Sequence, residues 1–124
     1  MTIRDFLESG ALAGDKETLG RGTCLFRQGE EALYFYLILQ GSVALVDADK
    51  DLDEQAVAPP DFMLGITDLV NKRYSFTAYT LSETSIIRFE RRAIEQAMKQ
   101  NPLLRLYLLK QMSWEAKRTK ITFE

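Results

Sequence analysis

The segment LGITDLVNKRYSF, residues 64–76, combines residue types that bind phosphate groups. Gly65 allows a ligand to approach the backbone, and a helical turn after it offers free backbone N–H groups to an anion. Arg73 adds a positive charge and Ser75 adds a hydroxyl group. The same segment contains Asp68, whose negative charge would repel an anionic ligand. We therefore predict an anion-binding loop that has been altered.

Catalysis is disfavoured by the composition, because the chain contains no histidine. This excludes serine–histidine and cysteine–histidine nucleophile pairs, histidine general bases and zinc sites built on imidazole. An enzyme on a cupin-like roll is therefore the weaker interpretation. We predict no catalytic residue, and no cofactor is required.

An acidic segment, DADKDLDE at residues 47–54, begins like a calcium-binding loop. Leu52 stands where that loop needs its turn glycine, and Ala58 stands where it needs a bidentate glutamate. We therefore predict a solvated acidic edge and no metal site.

The single cysteine, Cys24, lies in a strand-like run, which predicts a buried and inert thiol. One cysteine cannot form an internal disulfide, which favours a cytoplasmic location.

Short apolar runs separated by glycine, proline and aspartate turns predict the strands that must position the loop. They include TCLF (23–26), YFYLILQ (34–40), SVALVDA (42–48), SFTAYTLS (75–82) and TSIIRF (84–89). The pattern is typical of a mainly β domain with some α, an antiparallel β-roll resembling a jelly roll. No apolar run is long enough to span a membrane.

Helical periodicity flanks the predicted roll. DFLESGAL (5–12) predicts a short N-terminal helix, and RRAIEQAMKQ (91–100) predicts a helix with Ile94, Ala97 and Met98 on one face. Asn101-Pro102 separates it from a long final helix over residues 102–120. We predict a single domain over 1–124, with a helical segment at 1–17, the roll at 18–89 and the C-terminal helices at 90–124.

The first two turns of the final helix are apolar nearly all round, so one face needs a partner besides the roll. A second copy of the chain is the simplest partner, which predicts a homodimer through residues 102–120. The alternative is a helix covered entirely by its own roll. The predicted dimer contacts are Leu106, Leu109, Met112 and Ala116.

Three stretches, residues 22–46, 62–89 and 101–112, resemble the cyclic nucleotide-binding domain, the effector domain of the catabolite activator (Crp/Fnr) family. The resemblance covers roughly residues 18–120 and is carried by Gly22, Gln28-Gly29, Gly41-Ser42-Val43 and Asn101-Pro102. It implies a β-roll with flanking helices and a long C-terminal helix that dimerises. Fold alone does not identify the ligand.

The ligand of that family depends on a phosphate cassette with a glycine, a glutamate, a short helix and an arginine before a hydroxyl residue. Aligned to it, Gly65 matches, Ile66 replaces the glutamate, Tyr74 takes the arginine position and Ser75 the hydroxyl position. Arg73 then lies one residue early, and such a slip turns a side chain to the opposite face of a strand.

Two further ligand contacts are candidates, one from the loop residues and one from the resemblance. The backbone N–H groups around Ile66 and Thr67, with Arg73 or Lys72, are candidates for holding a different anion. The resemblance also places Thr119 where the catabolite activator touches adenine.

These observations predict a stand-alone regulatory or sensory domain that binds cyclic AMP weakly or not at all and acts on an unidentified partner protein. Two alternatives stay open, a functional receptor for cyclic AMP, cyclic GMP or another small anion, and a ligand-free protein-interaction domain. The chain ends after the long helix, so we expect no direct DNA binding by this polypeptide.

Overall fold

The structure, a computed structural model, describes residues 3–10, 12–47, 56–69 and 71–111. The described strands are β1 Asp15–Leu19, β2 Cys24–Phe26, β3 Tyr34–Gln40, β4 Val43–Val46, β5 Ala56–Ala58, β6 Met63–Leu64, β7 Thr77–Thr80 and β8 Thr84–Glu90. The helices are α1 Ile3–Glu8, a 3-10 helix Ile66–Leu69, α2 Arg91–Gln100 and α3 over residues 102–111.

Two four-stranded antiparallel sheets face each other, with the strand orders β1-β8-β3-β6 and β2-β7-β4-β5. Consecutive strands therefore alternate between sheets at several points, as expected for a roll. The predicted mainly β fold, with a short N-terminal helix and two C-terminal helices, is confirmed. The division into segments 1–17, 18–89 and 90–124 stays a prediction.

Strand β3 shows why the roll forms, because both of its faces are buried. Tyr36 and Ile38 join a cluster between the two sheets, and Phe35 and Leu37 join a second cluster under the helices. Alternate residues of a strand point to opposite faces, so a strand covered on both sides is apolar throughout. The continuous run at residues 34–40 predicts this strand correctly.

The helices pack on the outer face of the sheet that contains β3. Ile94, Ala97 and Met98 of α2 are buried there, as predicted, together with Leu104 and Leu108 of α3. This arrangement places the two C-terminal helices directly beside the end of β6, where the candidate loop begins.

Helix α3 has two local determinants of its position. The side chain of Asn101 caps its first turn, because Oδ1 accepts from the N–H groups of Leu103 and Leu104 at 3.1 and 3.2 Å. At residue 111, the amide of Gln111 donates to the carbonyl oxygen of Met63 at 2.8 Å and accepts from the N–H of Met63 at 3.1 Å. Gln111 thus pairs with β6 in the way that a neighbouring strand would.

The prediction of a buried Cys24 is wrong, because this thiol is exposed. Strand β2 has β7 as its neighbour, and the register shifts between Cys24 and Phe26. At this edge strand the side chain of Phe26 enters the core and that of Cys24 faces outward.

Candidate functional site

Gly65 connects β6 to the 3-10 helix in a conformation that favours glycine. Its φ is +86°, and a Cβ atom there would lie 3.1 Å from Phe35 Cδ1 and 3.3 Å from Tyr74 Cε1. Both the backbone angle and the surrounding rings therefore disfavour a side chain at this position. The glycine that the sequence marks as a cassette residue has a clear structural role.

Ile66 belongs to the cluster under the helices and is fully buried. In the same cluster lie Leu104 and Leu108 of α3 and Met63 of β6. The side chain thus contributes to the contact between the candidate loop and the C-terminal helices, and it offers no hydrogen-bond acceptor. Thr67 lies in the same 3-10 helix.

Asp68 is 2% exposed, and its carboxylate accepts two hydrogen bonds from Ser75. Oδ2 accepts from the Ser75 backbone N–H at 2.9 Å, and Oδ1 accepts from the Ser75 hydroxyl. The Ser75 hydroxyl, which the sequence offers to an anion, is therefore occupied by a carboxylate of the same loop, and so is the Ser75 backbone N–H. The sequence predicts only that the negative charge of Asp68 repels an anion, and it does not predict this contact.

Tyr74, at the position aligned with the cassette arginine, points into the roll. Its ring stacks on Phe26, with centroids 3.9 Å apart and an angle of 13° between the planes. The hydroxyl donates to the Tyr34 carbonyl oxygen at 2.6 Å and lies 3.3 Å from the Tyr34 backbone N–H, which donates to it. Burial raises the pKa of Tyr74 to about 12, so the phenol is neutral at physiological pH.

Arg73 lies on the exposed side of the loop. Its Nη1 donates to the Gly29 carbonyl oxygen at 2.8 Å, and its backbone forms an antiparallel bridge with Glu31. The ion pairs among the described residues include neither Arg73 nor Asp68. The structure therefore places Arg73 against the turn at residues 27–31, and Ser75 against Asp68.

Arg91, the first residue of α2, makes contacts that the sequence does not predict. Its guanidinium donates to the carbonyl oxygens of Leu69, at the end of the 3-10 helix, and of Ala32, at 2.9 Å in the latter case. It also pairs with Glu95 one turn later, at 3.0 Å. Arg91 thus links the candidate loop to the helical region.

The predicted dimer helix exposes a row of leucines on the side away from the roll. Leu103, Leu106 and Leu109 are 58%, 51% and 48% exposed. A cleft of about 230 Å³ lies beside them, lined in part by Phe6 and Tyr107. Within residues 102–111 the helix is therefore not covered entirely by its own roll. The other predicted contacts, Met112, Ala116 and Thr119, lie outside the described residues.

The remaining sequence predictions concern metals and membranes. Among the described residues, no group of three or more histidine, cysteine, aspartate or glutamate side chains could hold a metal ion. Most of the acidic segment 47–54 lies outside the described residues. No helix in the described part of the chain is long and apolar enough to cross a membrane.

The family of the chain is shown by its sequence as well as its fold. The model of the cyclic nucleotide-binding domain matches residues 16–101, more than half of the chain. The chain therefore belongs to the cyclic nucleotide-binding domain family, which confirms the resemblance seen in its glycine framework. No curated protein matches it in sequence.

Similar solved structures include regulators. The sensor domain of the transcriptional regulator DNR from Pseudomonas aeruginosa is 25% identical, with a TM-score of 0.71, over 88% of this chain and 80% of that one. The catabolite activator protein of Thermus thermophilus is 16% identical, with a TM-score of 0.76, over 94% of this chain and 56% of that one. The c-di-GMP-responsive regulator CLP of Xanthomonas campestris is 12% identical, with a TM-score of 0.77, over 97% of this chain and 60% of that one. The chain thus spans less than two thirds of the latter two proteins.

Proposed function

We propose that this chain is a regulatory domain of the cyclic nucleotide-binding family that binds cyclic AMP weakly or not at all. The observation that carries the proposal is the buried ring of Tyr74, stacked on Phe26 inside the roll. This position aligns with the arginine that neutralises the cyclic phosphate. A neutral phenol whose hydroxyl is already bonded to the Tyr34 backbone cannot supply that charge.

Two neighbouring residues support the same conclusion. Ile66 stands at the glutamate position, and it cannot accept a hydrogen bond from a ribose hydroxyl. A buried hydroxyl left without a partner costs about 1–3 kcal/mol. Arg73 would have to leave the Gly29 carbonyl oxygen before it could reach a ligand. Each change lowers affinity for a cyclic nucleotide, and together they favour a domain that does not depend on one.

Calorimetric titration of the purified protein with cyclic AMP and cyclic GMP tests this proposal. We expect no binding tighter than a dissociation constant of about 1 mM, which corresponds to roughly 4 kcal/mol of binding free energy. The matched variant is Arg73→Ala, and we expect its titration to be equally silent. Micromolar binding by the wild type that is lost in Arg73→Ala would instead establish the receptor alternative.

Cyclic di-GMP belongs in the same titration, because the Xanthomonas relative responds to it. A heat of binding for cyclic di-GMP, with none for cyclic AMP or cyclic GMP, would show that this domain binds a different anion. Such a result would leave the conclusion about cyclic AMP intact.

We further propose that the domain forms a homodimer through α3 and acts on a partner protein without catalysis of its own. The support is the exposed leucine row, since a monomer would leave these side chains in water. Burying one leucine side chain contributes about 1.5–3 kcal/mol, and a two-fold interface buries each twice.

Sedimentation equilibrium of a charge-substitution pair tests the dimer. Leu106→Glu should weaken dimerisation at least tenfold, because a carboxylate would enter the apolar interface. Gln96→Glu adds the same charge on the exposed face of α2 and should leave the dimer unchanged. Equal association constants for the two variants, or a monomeric wild type, would remove α3 from the proposed interface.

A second candidate, a ligand-free interaction domain, is favoured by the packing inside the roll. In the part of the chain that the structure describes, twelve buried residues from both sheets and their connecting loops form one cluster there, including Tyr74 and Phe26. This candidate predicts silent titrations with every nucleotide and a dimer whose association constant does not respond to them.

A further inference from the structure

The carboxylate of Asp68 is unusual among the charged groups of the described residues, because it is almost completely buried. The described ion pairs provide no cation for it. Burial of an unpaired charge is costly unless hydrogen bonds compensate for it. Here the compensation comes from one residue, since the N–H and O–H groups of Ser75 donate to the two carboxylate oxygens separately.

The backbone on both sides holds this carboxylate in place. The N–H of Asp68 donates to the Gly65 carbonyl oxygen at 2.9 Å, and its carbonyl oxygen accepts from Asn71 and Lys72 at 3.2 and 3.3 Å. The side chain is therefore presented to Ser75 by a turn whose geometry is fixed by its own hydrogen bonds. Two donors converging on one fixed anionic group constitute an oxyanion site with its occupant built into the chain.

We propose that Asp68 is a built-in ligand of this loop. Its carboxylate occupies the oxyanion site formed by Ser75, closes that site to free carboxylate or phosphate groups, and holds the turn at Asp68 against Ser75 without any external ligand. The proposal rests on the proposed function, because it supplies the reason why a loop of this family would take no phosphate. Its consequence is a domain whose loop conformation is independent of ligand concentration.

The competing interpretation is an ordinary structural hydrogen bond that merely joins two parts of a loop. The two interpretations differ in what remains when the carboxylate is removed. An oxyanion site would still bind a free anion of the same size as the missing carboxylate, whereas the loss of an ordinary hydrogen bond would leave only a destabilised loop. Asp68→Ala removes one carboxylate group, and formate is the free anion that matches it in size and charge.

Thermal unfolding of Asp68→Ala in sodium formate and in sodium chloride at the same ionic strength tests the proposal. We expect a midpoint about 4 °C higher in 0.2 M formate than in 0.2 M chloride, because an anion that binds only the folded state stabilises it. The wild type should show equal midpoints in the two salts, since its own carboxylate fills the site. Asp68→Asn fills the site with a neutral group of the same shape and should also show no difference.

The double variant Asp68→Ala, Ser75→Ala identifies the donor. Loss of the Ser75 hydroxyl should abolish at least half of the formate response. If Asp68→Ala does not fold in chloride, native circular dichroism should return in formate, and Asp68→Ser is then measured in the same way. The proposal would be overturned by equal midpoints in the two salts or by a formate response that is undiminished in the double variant. It would also be overturned if neither Asp68→Ala nor Asp68→Ser regains native structure in formate.

The formate experiment and the nucleotide titration can refute the two proposals independently of each other. Equal midpoints would remove the built-in ligand and leave a domain that still ignores cyclic AMP. Tight binding of cyclic AMP by the wild type would overturn the proposed function even if formate rescued Asp68→Ala. The pair of results therefore assigns the failure to one proposal or the other.

Discussion

The buried phenol of Tyr74 makes the stability of this domain sensitive to alkaline pH. Burial raises its pKa from 10.0 to about 12. As the pH rises past 10, the unfolded chain loses the phenolic proton first, and the folded chain keeps it until about pH 12. The stability contribution of the neutral phenol is therefore complete below pH 10 and is lost between pH 10 and pH 12.

The size of this loss follows from the shift. Each pKa unit corresponds to 1.36 kcal/mol, so a shift of two units removes at most about 2.7 kcal/mol of unfolding free energy. At pH 11, halfway through the window, the loss relative to pH 8 is about 1.4 kcal/mol. Tyr36 also has a raised pKa, chiefly because of burial, and adds its own loss in the same direction.

Tyr74→Phe isolates the contribution of this one group. The substitution keeps the ring on Phe26 and removes the hydroxyl that donates to the Tyr34 carbonyl oxygen. We expect the variant to be less stable than the wild type by about 1 kcal/mol at pH 8. Between pH 8 and pH 11 the difference should shift by about 1.4 kcal/mol in favour of the variant, because the variant has no phenol to ionise at this position. The variant should therefore be about as stable as the wild type, or slightly more stable, at pH 11.

Urea unfolding at the two pH values, followed by circular dichroism, measures both differences. Contributions from Tyr36 and other groups cancel when the variant is compared with the wild type at each pH. Tyr36→Phe is the matched control, and it should retain the Tyr74 component of the alkaline loss. If wild type and Tyr74→Phe differ by the same free energy at pH 8 and pH 11, then Tyr74 is not the buried neutral phenol described here.

Two further substitutions test the connections around the loop. Gln111→Ala should lower the free energy of unfolding in urea by about 1–3 kcal/mol, because the Met63 backbone N–H and carbonyl groups both lose their partner. The control is Gln96→Ala on the exposed face of α2, which should change the free energy of unfolding by less than about 0.5 kcal/mol. Gly65→Ala should cost about 1–3 kcal/mol, since it combines a φ of +86° with a contact of 3.1 Å to Phe35. An unfolding midpoint within error of the wild type would show that the loop relaxes around the added methyl group.

The sequence predicts the β-roll well where burial is uniform. Strand β3 is apolar at nearly every position because both of its faces are covered, and it extends over Tyr34–Gln40 as predicted. Strand β2 shows the opposite case, since Cys24 lies in an equally apolar run and faces solvent. The register shift against β7 decides which side chain turns inward, and a shift of that kind depends on the partner strand.

The candidate site is predicted only as a set of positions. Gly65 and Ser75 are recognisable in the sequence because one needs a special backbone angle and the other carries a hydroxyl. The environment of Tyr74 depends on Phe26, which is distant in the chain, so the sequence alone does not place the ring inside the roll. The contact between Asp68 and Ser75 likewise depends on how the intervening loop returns, and local pattern does not encode that distance.

The contacts of three loop residues all hold the loop in one conformation. Ile66 attaches the loop to the helices through the apolar cluster, and Tyr74 anchors it inside the roll through a stacked ring. Between them, Asp68 satisfies the donors of Ser75. Arg91 and Gln111 then join the same loop and β6 to α2 and α3 through backbone carbonyl oxygens. Under the proposed function, these contacts within the chain take the place of contacts that a cyclic phosphate would make, so the folding free energy maintains a conformation that would otherwise require binding free energy.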